Sequence, residues 1–420
     1  MTSDRILATY LLETPFPLET AAEAMAGEQS SGTFVAVPGE TDELRLRHRA
    51  TVEQIDPLEP VSEPSLPGSK PPTGSAGYNR ARVTISFPFD NVGTNLPTLL
   101  STVAGNLYEL REVSGLKLID LEFPAQFADA HPGPQFGIAG TRQLIGVHEG
   151  PLIGTIVKPS VGLTPEQTAD LVRELGEADI DFIKDDELMA DPPHSPLERR
   201  VEQVMGVINE LSDRTGKKLM YAFNITDDIG NMLRHHETIK NAGGTCVMVS
   251  LNSVGMAGVA YLRKHCELPI HGHRNGWGML TRHPWLGISF RAYHKLWRLI
   301  GIDHIHVNAL QNKFWEPDES VVDSVNACLE PLLSGYRVMP VLSSGQWGGQ
   351  APETWRLTGT TDLMYLAGGG IVAHPGGPAA GVRAIRQAWE AAVSDIDLHE
   401  YSATHPELQQ SIEAFGKRDG

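Results

Sequence analysis

A run of six residues, Phe182-Ile183-Lys184-Asp185-Asp186-Glu187, sets a lysine among carboxylates at the end of a short apolar stretch. An ammonium group has no lone pair and ligates nothing, whereas neighbouring carboxylates suit a hard cation held through oxygen. The set becomes coherent if CO2 converts Lys184 to a carbamate, which adds a third oxygen ligand beside Asp186 and Glu187. A charge cluster at a strand end is the plain alternative, and the six residues alone leave both readings open. Other chemistry-bearing groups follow the same habit of closing apolar segments. Lys158 closes one in TIVKPSVGL (155–163); as a neutral amine it is a base, or it polarises a carbonyl, once neighbouring cations depress its pKa. His273 and Arg274 close another, in HGHR (271–274), and a guanidinium suits a phosphate or carboxylate. His306 is a candidate hydrogen-bond donor or proton shuttle. Lys313 lies in NALQNKFWEP (308–317), a stretch that reads as a loop able to close over a substrate. Gly368 and Gly369 open a glycine run whose backbone N–H groups suit an anion nest, with Gly345, after Ser343 and Ser344, as a further donor. The repeated His-x-His pattern invites zinc, but no cysteine or carboxylate motif accompanies it.

These groups need elements to bring them together. Eight apolar strand candidates run through the chain after residue 151: 152–158, 181–186, 218–225, 245–251, 268–274, 304–309, 337–343 and 362–368. Most gaps between them hold a crossover helix. One such helix is predicted over 165–178, with Thr164 as N-cap before Pro165, and another over 288–301. The pattern predicts an α/β protein whose residues 134–420 form a (β/α)8 TIM barrel with a C-terminal helical tail. Active sites on this fold lie at the C-terminal ends of the strands, where the polar groups fall. Residues 1–133 read as a smaller α+β domain, with strands at 6–12, 33–37, 81–89 and 116–124 and helices at 17–28 and 97–107. Residues 57–77 read as a mobile surface loop and 131–137 as a linker.

The 420 residues carry a net charge of −18, with 41% hydrophobic and 20% charged residues. The composition is that of a globular protein, and the charge argues against nucleic acid or an anionic membrane as a general partner. The three cysteines show no metal-like spacing and read as reduced thiols. With no signal-peptide pattern and no apolar run of ~18 residues, the expected location is the cytoplasm.

The motifs together resemble the large chain of ribulose-bisphosphate carboxylase (RuBisCO), and more closely its RuBisCO-like, form IV relatives, over nearly the whole chain. TIVKPSVGL is similar to the family's TIKPKLGL, FIKDDE to FTKDDE, HGHR to HAHR, DHIHV to DHIHS and NKFWE to GKLEG. PVLSSG and AGGGIVAHP match the last two strand ends, EQSSGTF (28–34) is similar to ESSTGTW, and Gly105-Asn106 matches the family's site asparagine. The resemblance implies a catalytic set of Lys158, Lys184, His273 and Lys313. It implies one Mg2+ per site on Asp186, Glu187 and a Lys184 carbamate formed by activating CO2. Substrate and phosphate binding then fall to Arg274, His306, Ser343, Gly345, Gly368 and Gly369. It also implies a homodimer with composite sites, in which Glu28, Thr33, Phe34 and Asn106 complete the partner's site.

Departures narrow the reaction. Ser160 stands where the first-strand motif has a second lysine, Ile156 replaces its threonine, Trp277 replaces a histidine, and Asn308-Ala309 replace Gly-Thr. Losing one ammonium near a reacting oxyanion costs about 2.7–4 kcal/mol by analogy with an oxyanion-hole donor, which disfavours ribulose-bisphosphate carboxylation. The retained Lys158, Asn106, Arg274 and Lys313 favour an enediolate-forming enzyme that handles CO2 on a phosphorylated sugar acid. The best match is the apiose-catabolic class acting on 3-oxo-isoapionate 4-phosphate, where decarboxylation, recarboxylation and hydrolysis give 3-phosphoglycerate and glycolate. A diketo-methylthiopentyl-phosphate enolase, a methylthioribulose-phosphate isomerase, the disfavoured ribulose-bisphosphate carboxylase and a non-catalytic regulatory relative are the alternatives.

Overall fold

The computed structural model describes residues 4–32, 37–75 and 77–416. These form two compact units, one of residues 1–132 with 276–299 and one of residues 133–275 with 300–420.

The first unit is built on a five-stranded sheet in the order Leu286–Ile288, Gly115–Glu122, Arg5–Thr14, Tyr78–Pro88, Thr51–Val61. All neighbours are antiparallel except the first pair. Strand Arg5–Thr14 alternates as a half-buried strand must: Ile6, Ala8, Tyr10 and Leu12 are buried and the residues between them are partly exposed. Helix Leu18–Glu28 buries Ala21, Ala22, Met25 and Ala26. The strand expected at 33–37 falls almost wholly outside the described residues.

Three sequence expectations need correction here. The Pro- and Glu-rich segment Thr51–Val61 is an edge strand, so the expected loop at 57–77 begins only after Val61. Proline fits there because an edge strand has N–H groups to spare. The loop beyond it is tied down rather than loose at Ser65, whose backbone N–H and hydroxyl donate to the buried carboxylate of Glu13 at 2.7 and 2.6 Å. The helix expected at 97–107 ends at Ala104 and continues as a short 3-10 turn, Asn106–Glu109. Finally, Leu286–Ile288 joins the first unit's sheet, where the sequence placed the whole of 276–299 in the barrel domain.

The second unit is a closed barrel of eight parallel strands in chain order: Leu152–Ile156, Phe182–Lys184, Met220–Asn224, Cys246–Ser250, Ile270–His273, His304–His306, Met339–Leu342 and Met364–Leu366. The eighth pairs with the first and closes the ring. Each expected strand is present and ends earlier than its apolar run, so the last polar residues of most runs lie on the rim. Leu152, Phe182, Met220, Met248, Met339, Val341 and Leu366 fill the core. Helix Pro165–Glu177 starts with a full capping box: the Gln167 N–H donates to Thr164 Oγ1 and the Thr164 N–H to the Gln167 side chain. A further helix, Gly137–Ile145, which the sequence did not predict, follows the stretch read as a linker at 131–137; Ile145 joins the core, and Phe136 and Gly137 donate backbone N–H groups to Asp303 at 2.6 and 2.9 Å. Asp303 precedes the sixth strand, so this helix covers the strand-start end of the barrel. No helix among the described residues is long and apolar enough to cross a membrane.

Candidate active site

The second strand carries the centre. Its last residue, Lys184, is fully buried; its Nζ donates to Asp185 O at 2.8 Å and lies 3.7 Å from Glu187 Oε2. Burial lowers its pKa from the usual 10.5, the nearby Glu187, Asp186 and Asp185 carboxylates opposing. Burial thus favours the neutral, nucleophilic form of the amine, the form that CO2 requires. Asp186 is nearly buried and accepts a 2.7 Å hydrogen bond from Lys158 Nζ at Oδ2. Burial alone would raise its pKa; the hydrogen bond and charge of Lys158 outweigh that and hold it below the normal carboxylate value. Lys158 also donates to Ser160 Oγ at 2.8 Å. The serine that replaces the family's second lysine is therefore a hydrogen-bond partner of the first.

Asp185 carried no assigned role in the sequence, and the structure gives it one. Its carboxylate accepts from Tyr221 OH at 2.6 Å and Asn224 N at 2.9 Å, and pairs with the fully buried Arg200 at 3.2 Å. Asn224 Nδ2 in turn donates to the carbonyls of Asp186 and Glu187, both at 3.2 Å. Strand three and helix Leu197–Thr215 thus fix the backbone on which Asp186 and Glu187 stand. Arg200 and Tyr221 left no readable signal, since an arginine mid-helix and a tyrosine mid-strand are ordinary there.

His273 ends the fifth strand with Nε2 3.6 Å from Glu187 Oε2. Its Nδ1 accepts from Asn275 N at 3.2 Å, so in the neutral ring the proton sits on Nε2, facing the carboxylate. Burial, reinforced by the Lys184 charge, lowers its pKa to about 4, so the ring is neutral at neutral pH. The His306 ring lies 4.3 Å from that of His273, tilted by 58°, and bonds Ser343 Oγ at 3.0 Å through Nδ1. A Cβ on Gly368 would lie 3.5 Å from Lys158 Cε, which puts the eighth strand end beside the first. One on Gly345 would lie 3.5 Å from Lys313, so the loop after strand six rests against that after strand seven. Gly369 faces open space, whereas a Cβ on Gly370 would collide with Gln346 O. Lys158, Lys184, Asp186, Glu187, His273, His306, Ser343 and Gly368 thus form one connected set at the barrel mouth.

Arg274 is paired within the chain. Its guanidinium donates to Glu316 Oε2 at 2.9 Å, both side chains being buried, and Asn308 Nδ2 donates to the same oxygen at 2.5 Å. Arg274 thereby ties strand five to the loop that bears Lys313, and Glu316 is a residue the sequence reading passed over. In the first unit, Asn106 Nδ2 donates to Glu28 Oε1 at 3.4 Å, so two of the four residues expected to act across a dimer stand together. Thr33 and Phe34 lie outside the described residues.

Comparison with known proteins decides the family. Residues 137–415 match the model of the ribulose bisphosphate carboxylase large chain, catalytic domain, and residues 2–127 match that of its N-terminal domain. The chain belongs to the RuBisCO large-chain family. Within that family it is 53% identical, over 98% of its length and 99% of the relative's, to a 3-oxo-isoapionate-4-phosphate transcarboxylase/hydrolase of Xanthobacter autotrophicus. It is 50% identical, over 99% of its length and all of the relative's, to a 3-oxo-isoapionate-4-phosphate decarboxylase of Rhizobium etli. A crystal structure of a rubisco-like protein from Burkholderia fungorum superposes with a TM-score of 0.91 at 46% identity, covering 98% of this chain and 100% of that one.

Proposed function

We propose that this RuBisCO-like chain is an enzyme acting on 3-oxo-isoapionate 4-phosphate as a transcarboxylase/hydrolase. Its observational basis is full-length similarity to relatives named for that substrate, in a chain that gathers Lys158, Lys184, Asp186 and Glu187 in one barrel mouth. The substrate is a β-keto acid, which loses CO2 as its carbonyl takes up an electron pair and becomes an enolate. Lys158 is placed to hold or deliver the proton of that enolate, its ammonium meanwhile neutralising Asp186. The His273 Nε2–H and the Lys313 ammonium are donors for developing negative charge. The glycines at the eighth strand end are offered to the phosphate.

The donor set fits Mg2+. Asp186 and Glu187 offer carboxylate oxygens, the ligand type Mg2+ takes, and a third oxygen ligand would complete the protein's share of the site. Lys184, buried beside them with a lowered pKa, is the residue that would supply it as a carbamate. A bound Mg2+ would contribute Lewis-acid polarisation of the substrate carbonyl. A homodimer, in which Glu28 and Asn106 serve the partner subunit's site, is part of the same reading.

The Rhizobium etli relative, named a decarboxylase, supports a second reading in which the enolate is simply protonated. Product analysis separates the two. Incubation with 3-oxo-isoapionate 4-phosphate, Mg2+ and CO2 yields 3-phosphoglycerate and glycolate under the first reading. Under the second it yields CO2 and a ketose phosphate one carbon shorter. Neither product set forming overturns both.

A further inference from the structure

The barrel interior holds three buried histidines whose ring nitrogens are all used within the chain. His304 Nε2 lies 2.8 Å from Thr141 Oγ1, His304 Nδ1 lies 3.3 Å from His271 Nδ1, His271 Nε2 lies 2.8 Å from His306 Nε2, and His306 Nδ1 lies 3.0 Å from Ser343 Oγ. The path starts at the helix covering the strand-start end and finishes at the mouth.

Its direction follows from one carbonyl. Thr141 Oγ1 also bonds Gly137 O, one turn back on its helix. Two oxygens at that separation need a hydrogen between them, and a carbonyl has none, so the hydroxyl donates there. Thr141 Oγ1 must then accept from His304 Nε2–H. A neutral imidazole carries one proton, so His304 Nδ1 is an acceptor and His271 donates from Nδ1. His271 Nε2 is then an acceptor, His306 donates to it from Nε2, and His306 Nδ1 accepts the hydrogen of Ser343. The rings are neutral because burial lowers all three pKa values, that of His304 to about 3.

We propose that Thr141, His304 and His271 are positioning residues, a one-way chain that turns the Ser343 hydroxyl hydrogen inward and leaves only the oxygen lone pairs to the barrel mouth. Ser343 is thereby a reader of a substrate hydroxyl, which can donate to it, and not of a phosphate or carboxylate oxygen, which cannot. The same chain occupies both nitrogens of His306, so that ring shuttles no proton to a ligand. The identity of the hydroxyl-bearing ligand rests on the sugar-acid reading above; the direction of the chain does not.

Neutron diffraction from a perdeuterated crystal of the wild-type protein tests the direction. Deuterium is expected on Nε2 of His304, Nδ1 of His271, Nε2 of His306 and between Ser343 Oγ and His306 Nδ1. Deuterium on Nε2 of His271, or on Nδ1 of His306, overturns the proposal. In steady-state kinetics, Thr141→Val removes the acceptor that sets the direction. Since a neutral hydrogen bond is at stake, kcat/KM for the sugar acid should fall about tenfold, with Thr141→Ser restoring it. An equal loss in Thr141→Ser and Thr141→Val would mark a merely structural role and overturn the positioning claim. The wild-type crystal decides the direction even if Thr141→Val does not fold. A protein that shows the expected deuterium pattern yet ignores 3-oxo-isoapionate 4-phosphate supports the chain and overturns the function.

Discussion

Two adjacent aspartates in the opening run have opposite fates, and their surroundings explain why. Asp185 turns into the barrel wall, where Tyr221, Asn224 and Arg200 use its oxygens. Asp186 turns to the mouth and meets Lys158. The resemblance singled out Asp186 and left Asp185 without a role; the partners of Asp185 were not legible, since they come from a helix residue 15 positions away and strand residues 36 and 39 positions away. Lys184 is the residue on which the metal reading turns. Its lowered pKa means that the amine is neutral at a lower pH than a free lysine, so CO2 uptake should set in below the range expected of an exposed lysine and increase with pH until the amine is fully deprotonated. With 13C-labelled CO2 and Mg2+, the wild-type protein should show one carbamate carbon resonance per chain. In Lys184→Ala that resonance should vanish and Mg2+ affinity, followed by titration calorimetry, should drop by at least tenfold, about 1.4 kcal/mol. Unchanged Mg2+ affinity in Lys184→Ala would end the carbamate reading.

At the scale of elements, all eight barrel strands were legible because each is a buried apolar run, and helix Pro165–Glu177 was legible through its cap. Two features were not. Strand Thr51–Val61 is mostly exposed along its length, so it carries no apolar run to find. Helix Gly137–Ile145 is short and begins amid Gly and Pro, and what stabilises it is Asp303, 166 residues from Gly137. Helix Leu197–Thr215 is joined to the end of strand Phe182–Lys184 by the Arg200–Asp185 pair, in which both side chains are buried. Arg200→Met should therefore leave an uncompensated carboxylate and lower stability by about 3–5 kcal/mol in urea denaturation. A loss under 1 kcal/mol would show that Tyr221 and Asn224 satisfy Asp185 alone. The histidines between strands five and six give the barrel an acid limit. Their folded pKa values lie below the 6.5 of the unfolded chain, that of His304 at about 3. Between those values the unfolded chain binds protons that the native barrel does not. Stability is therefore full above pH 6.5 and falls as pH drops, by up to about 1.4 kcal/mol per pH unit for each histidine. Urea midpoints measured from pH 7.5 to 4.5 should show this decline; a flat profile would mean that the rings titrate normally.

For the whole molecule, the open question of assembly is tied to chemistry through Glu28 and Asn106. They stand together in the first unit, joined by a 3.4 Å hydrogen bond. If they serve the barrel of a second copy, lesions in the two units must complement. Lys184→Ala and Asn106→Ala homodimers should each be inactive, since every site in either carries a lesion. In a mixed dimer, the barrel of the Lys184→Ala chain meets the Asn106→Ala side, and that site is doubly damaged. The other site combines an intact Lys184 with an intact Asn106 and should work at the normal rate. Co-expression of the two variants under different tags, followed by tandem purification of the mixed species, isolates this dimer. The expected result is turnover near half that of the wild type per dimer, one of the two sites being whole. Activity no higher than in the parental variants would place Asn106 and Lys184 of each working site on the same chain and discard the composite arrangement.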